Sequence, residues 1–421
     1  MKKIFIIGCL FFAGSLYSQP ATHLTLDSCY ELAKQNYPLI KQRDLIARTK
    51  DYSISNAAKG YLPQLNLVGQ ATYQSDVVKF PTLPVPGFSF PVLSKDQYKA
   101  GIEINQTIYD AGAIKYSKES QQVNADIQEQ SLEVNLYSLK DRVSQLYFSI
   151  LLLQEQVRQN ELRKNDFQNA LSKTEAAYTN GTAFKSNVDE LKAEVLNADQ
   201  NITEIKSNKK AYMNMLAIMI NRNINDSSIL DEPVNAPLSS TTINRPELKL
   251  YDSRKNNYDL QEKQLKTGYL PKVNAFAQGY YGRPTYNFID NKFGLFGLAG
   301  ISFKWPLYNL YTNKNNKIIF NLSKQNIDAE KETFLFNTKL TMTEETEAVI
   351  KYNELIKQDD DIILLRASVK NSANSQLENG VITSHDFITK VNDETQARLN
   401  LAMHKIQLLQ AQYNFKNTSG N

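Results

Sequence analysis

The longest regular pattern in the chain is a seam of apolar residues spaced alternately by four and three. Leu132, Leu136, Leu139, Val143, Leu146, Ile150, Leu153 and Val157 follow it, which is the spacing of a coiled-coil stripe on a helix. After Asn180-Gly181 the spacing resumes at Val188, Leu191, Val195, Ala198, Ile202 and Ile205. Helix breakers are almost absent here. No proline lies between Pro91 and Pro233 or after Pro306; Gly181 is the sole glycine between Gly112 and Pro233, and Gly380 between Gly300 and Ser419. The pattern therefore predicts one helix over 112–179 and a counterpart over 311–378, each about 100 Å long. Asn-Gly reverses each of them, because glycine adopts a left-handed backbone at little cost. Each long helix thus folds back as an antiparallel hairpin whose outer faces stay polar.

Residues 26–59 also read as helix. Gly60-Tyr61-Leu62-Pro63 ends it, and Gly268-Tyr269-Leu270-Pro271 ends a second such segment. The pattern then switches to period two. Leu65, Leu67, Gly69, Ala71 and Tyr73 alternate with Asn66, Val68, Gln70 and Thr72, and Val273, Ala275, Ala277, Gly279 and Tyr281 alternate with Asn274, Phe276, Gln278 and Tyr280. Returning strands carry Ile102, Ile104 and Ile108, and Ile301, Phe303, Trp305 and Leu307. Each half thus holds one β-hairpin of strands about ten residues long, apolar on one side and polar on the other, as a lipid-facing barrel wall requires. A soluble two-sided sheet would show the same alternation. Tyr61, Tyr109, Tyr269, Trp305 and Tyr308 fall at strand ends, where interfacial aromatics belong. Four strands cannot close a barrel, and an open edge is not viable in hydrocarbon, so the chain is expected to oligomerise. Two copies give eight strands with a filled interior; three give twelve with room for a lumen. The loops within the hairpins, 79–91 and 283–293, lie opposite the helices and are expected at the cell exterior.

These elements occur twice. GYLPQLN at 60–66 answers to GYLPKVN at 268–274, and Asn36-Tyr37-Pro38 to Asn244-Arg245-Pro246, at an offset of 208. Further on, Gly101-Ile102 matches Gly300-Ile301, and Asn180-Gly181 matches Asn379-Gly380, at an offset of 199. One duplication with nine extra residues in the Pro-rich run KFPTLPVPGFSFP explains both offsets. The expected organisation is a signal peptide at 1–18, a first structural repeat at 19–220, a linker at 221–243, a second repeat at 244–415 and a polar tail at 416–421.

Composition limits the alternatives. The chain has 421 residues, 42% apolar and 22% charged, with mean hydropathy −0.45, which does not fit a bundle of membrane helices. Its one long apolar run, MKKIFIIGCLFFAGSLYSQ, reads as a secretory signal. Cleavage after Ser18 removes Lys2 and Lys3 and lowers the formal charge from +4 to about +2. Ile6-Ile7-Gly8-Cys9 loosely mimics a lipoprotein cleavage box, but apolar residues follow Cys9. No basic patch stands out along the sequence, which argues against nucleic acid as a partner. Cys29 is left as a single thiol, hence without an internal disulfide, and reads as a core residue. With His23, His385 and His404 the only histidines, His385-Asp386 reads as solvated rather than as a metal site. Glu344-Glu345 and Asp359-Asp360-Asp361 read as solvated faces. No phosphate loop or nucleophile elbow is present. Catalytic residues, metal ligands and cofactors are therefore not expected, and the chain is not read as an enzyme.

Taken together, these features resemble the TolC family of outer-membrane efflux proteins. The resemblance rests on Leu24-Thr25-Leu26, Ala33 and Asn36-Tyr37-Pro38; on Tyr61-Leu62-Pro63; on Gln106-Thr107-Ile108-Tyr109-Asp110-Ala111-Gly112; and on Tyr178-Thr179-Asn180-Gly181-Thr182 with Val188 and Leu191. It spans essentially the whole mature chain. It implies a mainly α fold with β-strands, four transmembrane strands per chain, and a homotrimer forming a 12-stranded barrel and an α-helical periplasmic tunnel. It implies an exit duct in the outer membrane of a Gram-negative bacterium, passively conducting substrates for a tripartite efflux pump or a type I secretion system. The implied partners are outer-membrane lipid, a periplasmic adaptor and, through it, an inner-membrane pump. The adaptor-docking tips would be Asn180, Gly181, Thr182, Ala183 and Ser186, with Asn379, Gly380 and Val381. In the family, acidic residues after the second tip turn ring the closed entrance. Asp386 holds one such position and Thr389 the next, with Asn187 and Glu190 on the first tip; Ile382 stands where the family has an arginine latch. Gly60, Pro63, Gly268 and Pro271 mark the helix-to-strand junctions. A structural coiled-coil tether or adhesin stalk is the rival reading, but a stalk has no use for four amphipathic strands at matched places.

Overall fold

The computed structural model describes residues 23–79, 92–225, 228–235, 238, 242–287 and 289–421. The signal peptide and nearly all of the Pro-rich run lie outside the described residues. The chain begins with β1 (His23–Leu24) and α1 (Leu26–Asn36), then α2 (Gln42–Ala58). The single helix expected over 26–59 is thus divided. Pro38 disfavours helical geometry in the residue before it, and Tyr37 is extended at φ −66°, ψ 130°. Next come β2 (Gln64–Tyr73), β3 (Asp96–Tyr109), α3 (Ala113–Tyr137) and α4 (Leu139–Thr179). Here too the expected 112–179 helix has an interruption, at Ser138, whose hydroxyl donates to the Asn135 carbonyl at 2.8 Å and competes with the helical ladder. After α5 (Lys185–Ile220) and β4 (Ile229–Leu230), the second half follows. It contains α6 (Pro246–Thr267), β5 (Lys272–Arg283), β6 (Gly294–Lys304), α7 (Leu310–Glu378) and α8 (Ser384–Ser419). At 69 residues α7 is unbroken, about 100 Å long. Among the described residues no helix is long and apolar enough to cross a membrane.

β2, β3, β5 and β6 form one antiparallel sheet in that order. The two hairpins expected from sequence are joined through β3 and β5, a pairing the sequence pattern did not supply. The helices that continue the strands pack in the same lateral order, α2 on α3, α3 on α6 and α6 on α7. The long hairpins α4–α5 and α7–α8 extend from the other end of this layer.

The main core lies where the short elements meet the long ones. Leu24, Cys29, Val143, Phe148, Ile150, Leu216, Ile220 and Leu230 are buried together. Cys29 is fully buried, and burial pushes its thiol up to about 11. The segment read as a linker contributes here: β4 pairs in parallel with β1, and the Tyr147 hydroxyl lies 2.6 Å from the carbonyls of both Leu24 and Asp231. The apolar seam is buried from Leu132 to Ile150, apart from half-buried Leu146; Leu153 and Val157 are only half-buried, and Phe167 and Ala170 take over toward the tip.

The segment read as a polar tail is instead the last turn of α8, with Asn417 and Ser419 buried. The Asn417 carbonyl accepts from the Tyr137 hydroxyl at 2.7 Å, and the Arg245 guanidinium stacks on the Tyr137 ring at 4.6 Å. Two carboxylates read as solvated also prove to be enclosed. Asp359 is buried and bonds His404 at 2.6 Å. Glu345 is half-buried beside the end of α8, accepting from the Thr418 hydroxyl at 2.8 Å. Burial, opposed by that hydroxyl and reinforced by Asp141 and Glu344, pushes the Glu345 carboxyl up to about 7. A carboxyl raised in the fold stabilises it fully below the unfolded value, 4.5, and loses that contribution as pH rises through about 7. Glu345→Gln is therefore expected to raise the thermal midpoint at pH 8 while leaving it nearly unchanged at pH 5. A stabilisation of equal size at both pH values would contradict this.

Candidate functional site

Register assigns every strand residue to one of two faces. Leu65, Ile104, Ala277 and Ala299 align across the sheet, as do Leu67, Ile102, Gly279 and Gly297. This face is apolar and open: Leu67 is 86% exposed, Leu295 84% and Ile301 72%. The opposite face carries Asn66, Glu103, Gln278, Lys99 and Asn105, but it is not purely polar. Phe276 lies over Gly300, and Tyr280 over Gly101, where an added Cβ would meet the Gly279 carbonyl oxygen at 2.0 Å. These glycines let aromatic rings lie flat on the sheet. The Tyr280 hydroxyl donates to the Glu103 carboxylate. Tyr61, Tyr109, Trp305 and Tyr308 are about half exposed at the strand ends nearest the helices, and Trp305 Nε1 donates to the Tyr269 carbonyl at 3.0 Å.

The junctions differ in construction. Lys59 to Tyr61 form a 3-10 turn before Leu62 extends into Pro63. Gly60 sits at a close approach, since an added Cβ would stand 3.1 Å from the Ile114 side chain at the start of α3, which would have to shift. Gly268 is helical at φ −69° and takes the Asn309 amide on its carbonyl at 2.6 Å, just ahead of Pro271. The returning strand β3 turns into α3 through Asp110, whose carboxylate accepts from the Gly112 and Ile114 amides at 2.9 and 2.6 Å. Ala111 and Gly112 are both left-handed there.

At the tips, both helix ends share one hydrogen-bond pattern. The Thr182 amide donates to Ala177 and the Gly181 amide to Tyr178; Val381 and Gly380 repeat this with Gln376 and Leu377. Gly181 and Gly380 sit at φ +76° and +70°, so each is the left-handed residue of a Schellman turn, with Asn180 and Asn379 as the C-caps. The two tips are adjacent. Glu190 meets His385 at 3.3 Å, Lys173 pairs with Glu378, and Phe167, Leu191, Phe387 and Val391 form a shared core. Ser186 and Asn187 bond each other, Ala183 is half-buried, and Val381 is 70% exposed.

Asp386 has a local role that the sequence reading did not assign. With Thr383 it forms a capping box at the start of α8, accepting from the Thr383 amide and hydroxyl at 3.2 and 2.7 Å. Those bonds hold its carboxyl below the usual range. Thr389 lies one turn on, its hydroxyl bonded back to the His385 carbonyl. The first tip has no such box. Its N-cap position is Phe184, 78% exposed and without a capping side chain. Phe184 is the tip residue that sequence reasoning missed; its signal was an apolar residue in a turn where Ser, Thr, Asp or Asn is expected.

A family model described as outer membrane efflux protein matches residues 29–222. No curated protein matches the chain in sequence. Among solved structures, the outer membrane protein VceC of Vibrio cholerae is similar at a TM-score of 0.66 and 13% identity, over 94% of this chain and 96% of that one. The CmeC outer membrane channel of Campylobacter jejuni is similar at 0.65 and 13%, over 100% and 94%. The MtrE outer membrane channel of Neisseria gonorrhoeae, solved in an open state, is similar at 0.63 and 14%, over 94% and 89%. Residues 29–222 thus match the model of the outer membrane efflux protein family, and the chain as a whole shares the fold of these solved outer membrane proteins.

Proposed function

We propose that three copies of the chain close their four-stranded sheets into a 12-stranded barrel in the outer membrane, continued by a helical tunnel across the periplasm. The observation that carries this is the sheet itself: one face apolar and exposed, both edges unpaired, every strand prolonged by a helix. In hydrocarbon an unpaired edge costs several kcal/mol for each unsatisfied backbone group, so β6 of one copy would pair with β2 of the next. The two halves are read as repeats of one unit, 19–220 and 244–415. The outcome is a passive duct, which fits a family of channels rather than of enzymes. Asn180 to Ala183, Ser186 and Asn379 to Val381 would present the tips to a periplasmic adaptor, which couples the duct to an inner-membrane pump or secretion apparatus. Phe184 joins them as an exposed apolar anchor. Asp386, with Thr389, Asn187 and Glu190 nearby, would line the entrance.

Crosslinking in native membranes should give a ladder that stops at trimer, in the outer-membrane fraction. Recovery as a soluble periplasmic monomer would overturn the reading. At the tip, charge and capping can be separated. Asp386→Ala removes both and should speed amide exchange in the first turn of α8, whereas Asp386→Asn should retain part of the protection. Both should weaken block of single channels by multivalent cations. If neither variant changes that block, Asp386 acts as a cap alone.

A further inference from the structure

The polar face of the sheet is unevenly charged. Its ionisable residues are Lys99, Lys272 and Lys304 against a single carboxylate, Glu103. Glu103 is engaged by the Tyr280 hydroxyl, and the Lys99 ammonium lies over the same Tyr280 ring at 4.8 Å. The charges on the other face, Asp96 and Arg283, bond each other. Lys272 and Lys304 are direct partners across β5 and β6. Like charges opposite one another destabilise a sheet, and neither lysine forms an ion pair with a described carboxylate.

The helices below show that the imbalance is local. A ladder of ion pairs joins α6 to α7: Asp252 with Lys331 at 2.8 Å, Lys255 with Asp328 at 2.7 Å, and Asp259 with Lys324. Each step moves toward the sheet by the same number of residues on both helices. Lys324 also reaches Glu262 at 3.7 Å, the last carboxylate of α6, and nearer the sheet the charged residues of the two helices are all lysines, Lys263 and Lys266 on α6 and Lys314 and Lys317 on α7. On these two helices carboxylates thus run out short of the strands; at the β3–α3 junction Asp110 remains, held by the Gly112 and Ile114 amides.

We propose that the conduit is selective for anions, with Lys272 and Lys304 at the base of the barrel as the residues that set the preference. This rests on the duct reading, in which the polar face lines the lumen. Repeated by the trimer's symmetry, these ammonium groups form a ring, the arrangement used by anion and phosphate pores. Their field extends about 10 Å at 0.1 M ionic strength, enough to act on ions that pass without contact. The substrate class that fits is anionic: molecules carrying carboxylate, sulfate or phosphate groups.

The test is the reversal potential of the full-length trimer in planar bilayers under a potassium chloride gradient. The wild type should show the sign that marks chloride as the more permeant ion. The double substitution Lys272→Gln and Lys304→Gln should shift it toward potassium. Arginine at both positions should retain the wild-type value, and Glu103→Gln should shift it further toward chloride. Should the double variant not assemble, Lys304→Gln alone, at an exposed position, should shift the potential in the same direction. Conducting channels that prefer potassium, or that keep their selectivity when the lysines are removed, overturn the inference and leave the duct intact. Trimers that conduct nothing overturn the duct and the inference with it.

Discussion

The backbone edges of one four-stranded sheet constrain everything else in this molecule. A strand beside an apolar medium must have its amide and carbonyl groups paired. β3 and β5 are paired on both sides, whereas β2 and β6 each have one open side. Leu65, Leu67, Ile301 and Phe303 make the outward face too apolar to be left in water without a covering. Because α2, α3, α6 and α7 follow the strands in the same lateral order, closure of the sheet brings the helical layer round with it. The proposed barrel and tunnel are one cylinder built from one lateral sequence of elements.

Below the sheet the problem reverses. The long hairpins bury only narrow stripes, so their packing is concentrated at two places. One is the main core around Val143, Tyr147 and Phe148, with β1 and β4 strapped across it. The other is the tip core around Phe167, Leu191 and Phe387. Between them, ion pairs such as Lys164 with Asp199 at 2.6 Å and Lys370 with Glu394 at 2.7 Å connect neighbouring helices. The partly exposed Lys164–Asp199 pair contributes little stability, whereas Glu394 is buried and depends on Lys370 and Arg398 for its partners; both pairs fix register along helices with few apolar contacts. The end of α8 closes against α3 and α6, where Asn417, Tyr137 and Arg245 meet.

Local chemistry made much of this legible in the sequence. Gly181 and Gly380 announced their turns because a left-handed residue inside a long helical pattern has few other solutions. Period-two alternation located the four strands, although Trp305 and Leu307, read into the last of them, lie beyond β6, with Leu307 in a 3-10 turn. What was not legible depends on contacts distant along the chain. Asp359 looks like part of a solvated acidic run until α8 sets His404 against it. Glu345 looks exposed until the last turn of α8 covers it. The capping role of Asp386 was not read either, although its partner Thr383 lies only three residues upstream. The lysines at the helix-to-strand junction escaped notice because they arrive from separate segments, and composition along the sequence showed no basic patch. The join between β3 and β5 could not be read either, since many residues separate those strands.

Backbone amide exchange in lipid-reconstituted protein tests the central claim most directly. If copies close a barrel edge to edge, the outward amides of β2 and β6 should exchange as slowly as those of β3 and β5. Rapid exchange confined to β2 and β6, with β3 and β5 protected, would show open edges and contradict the account.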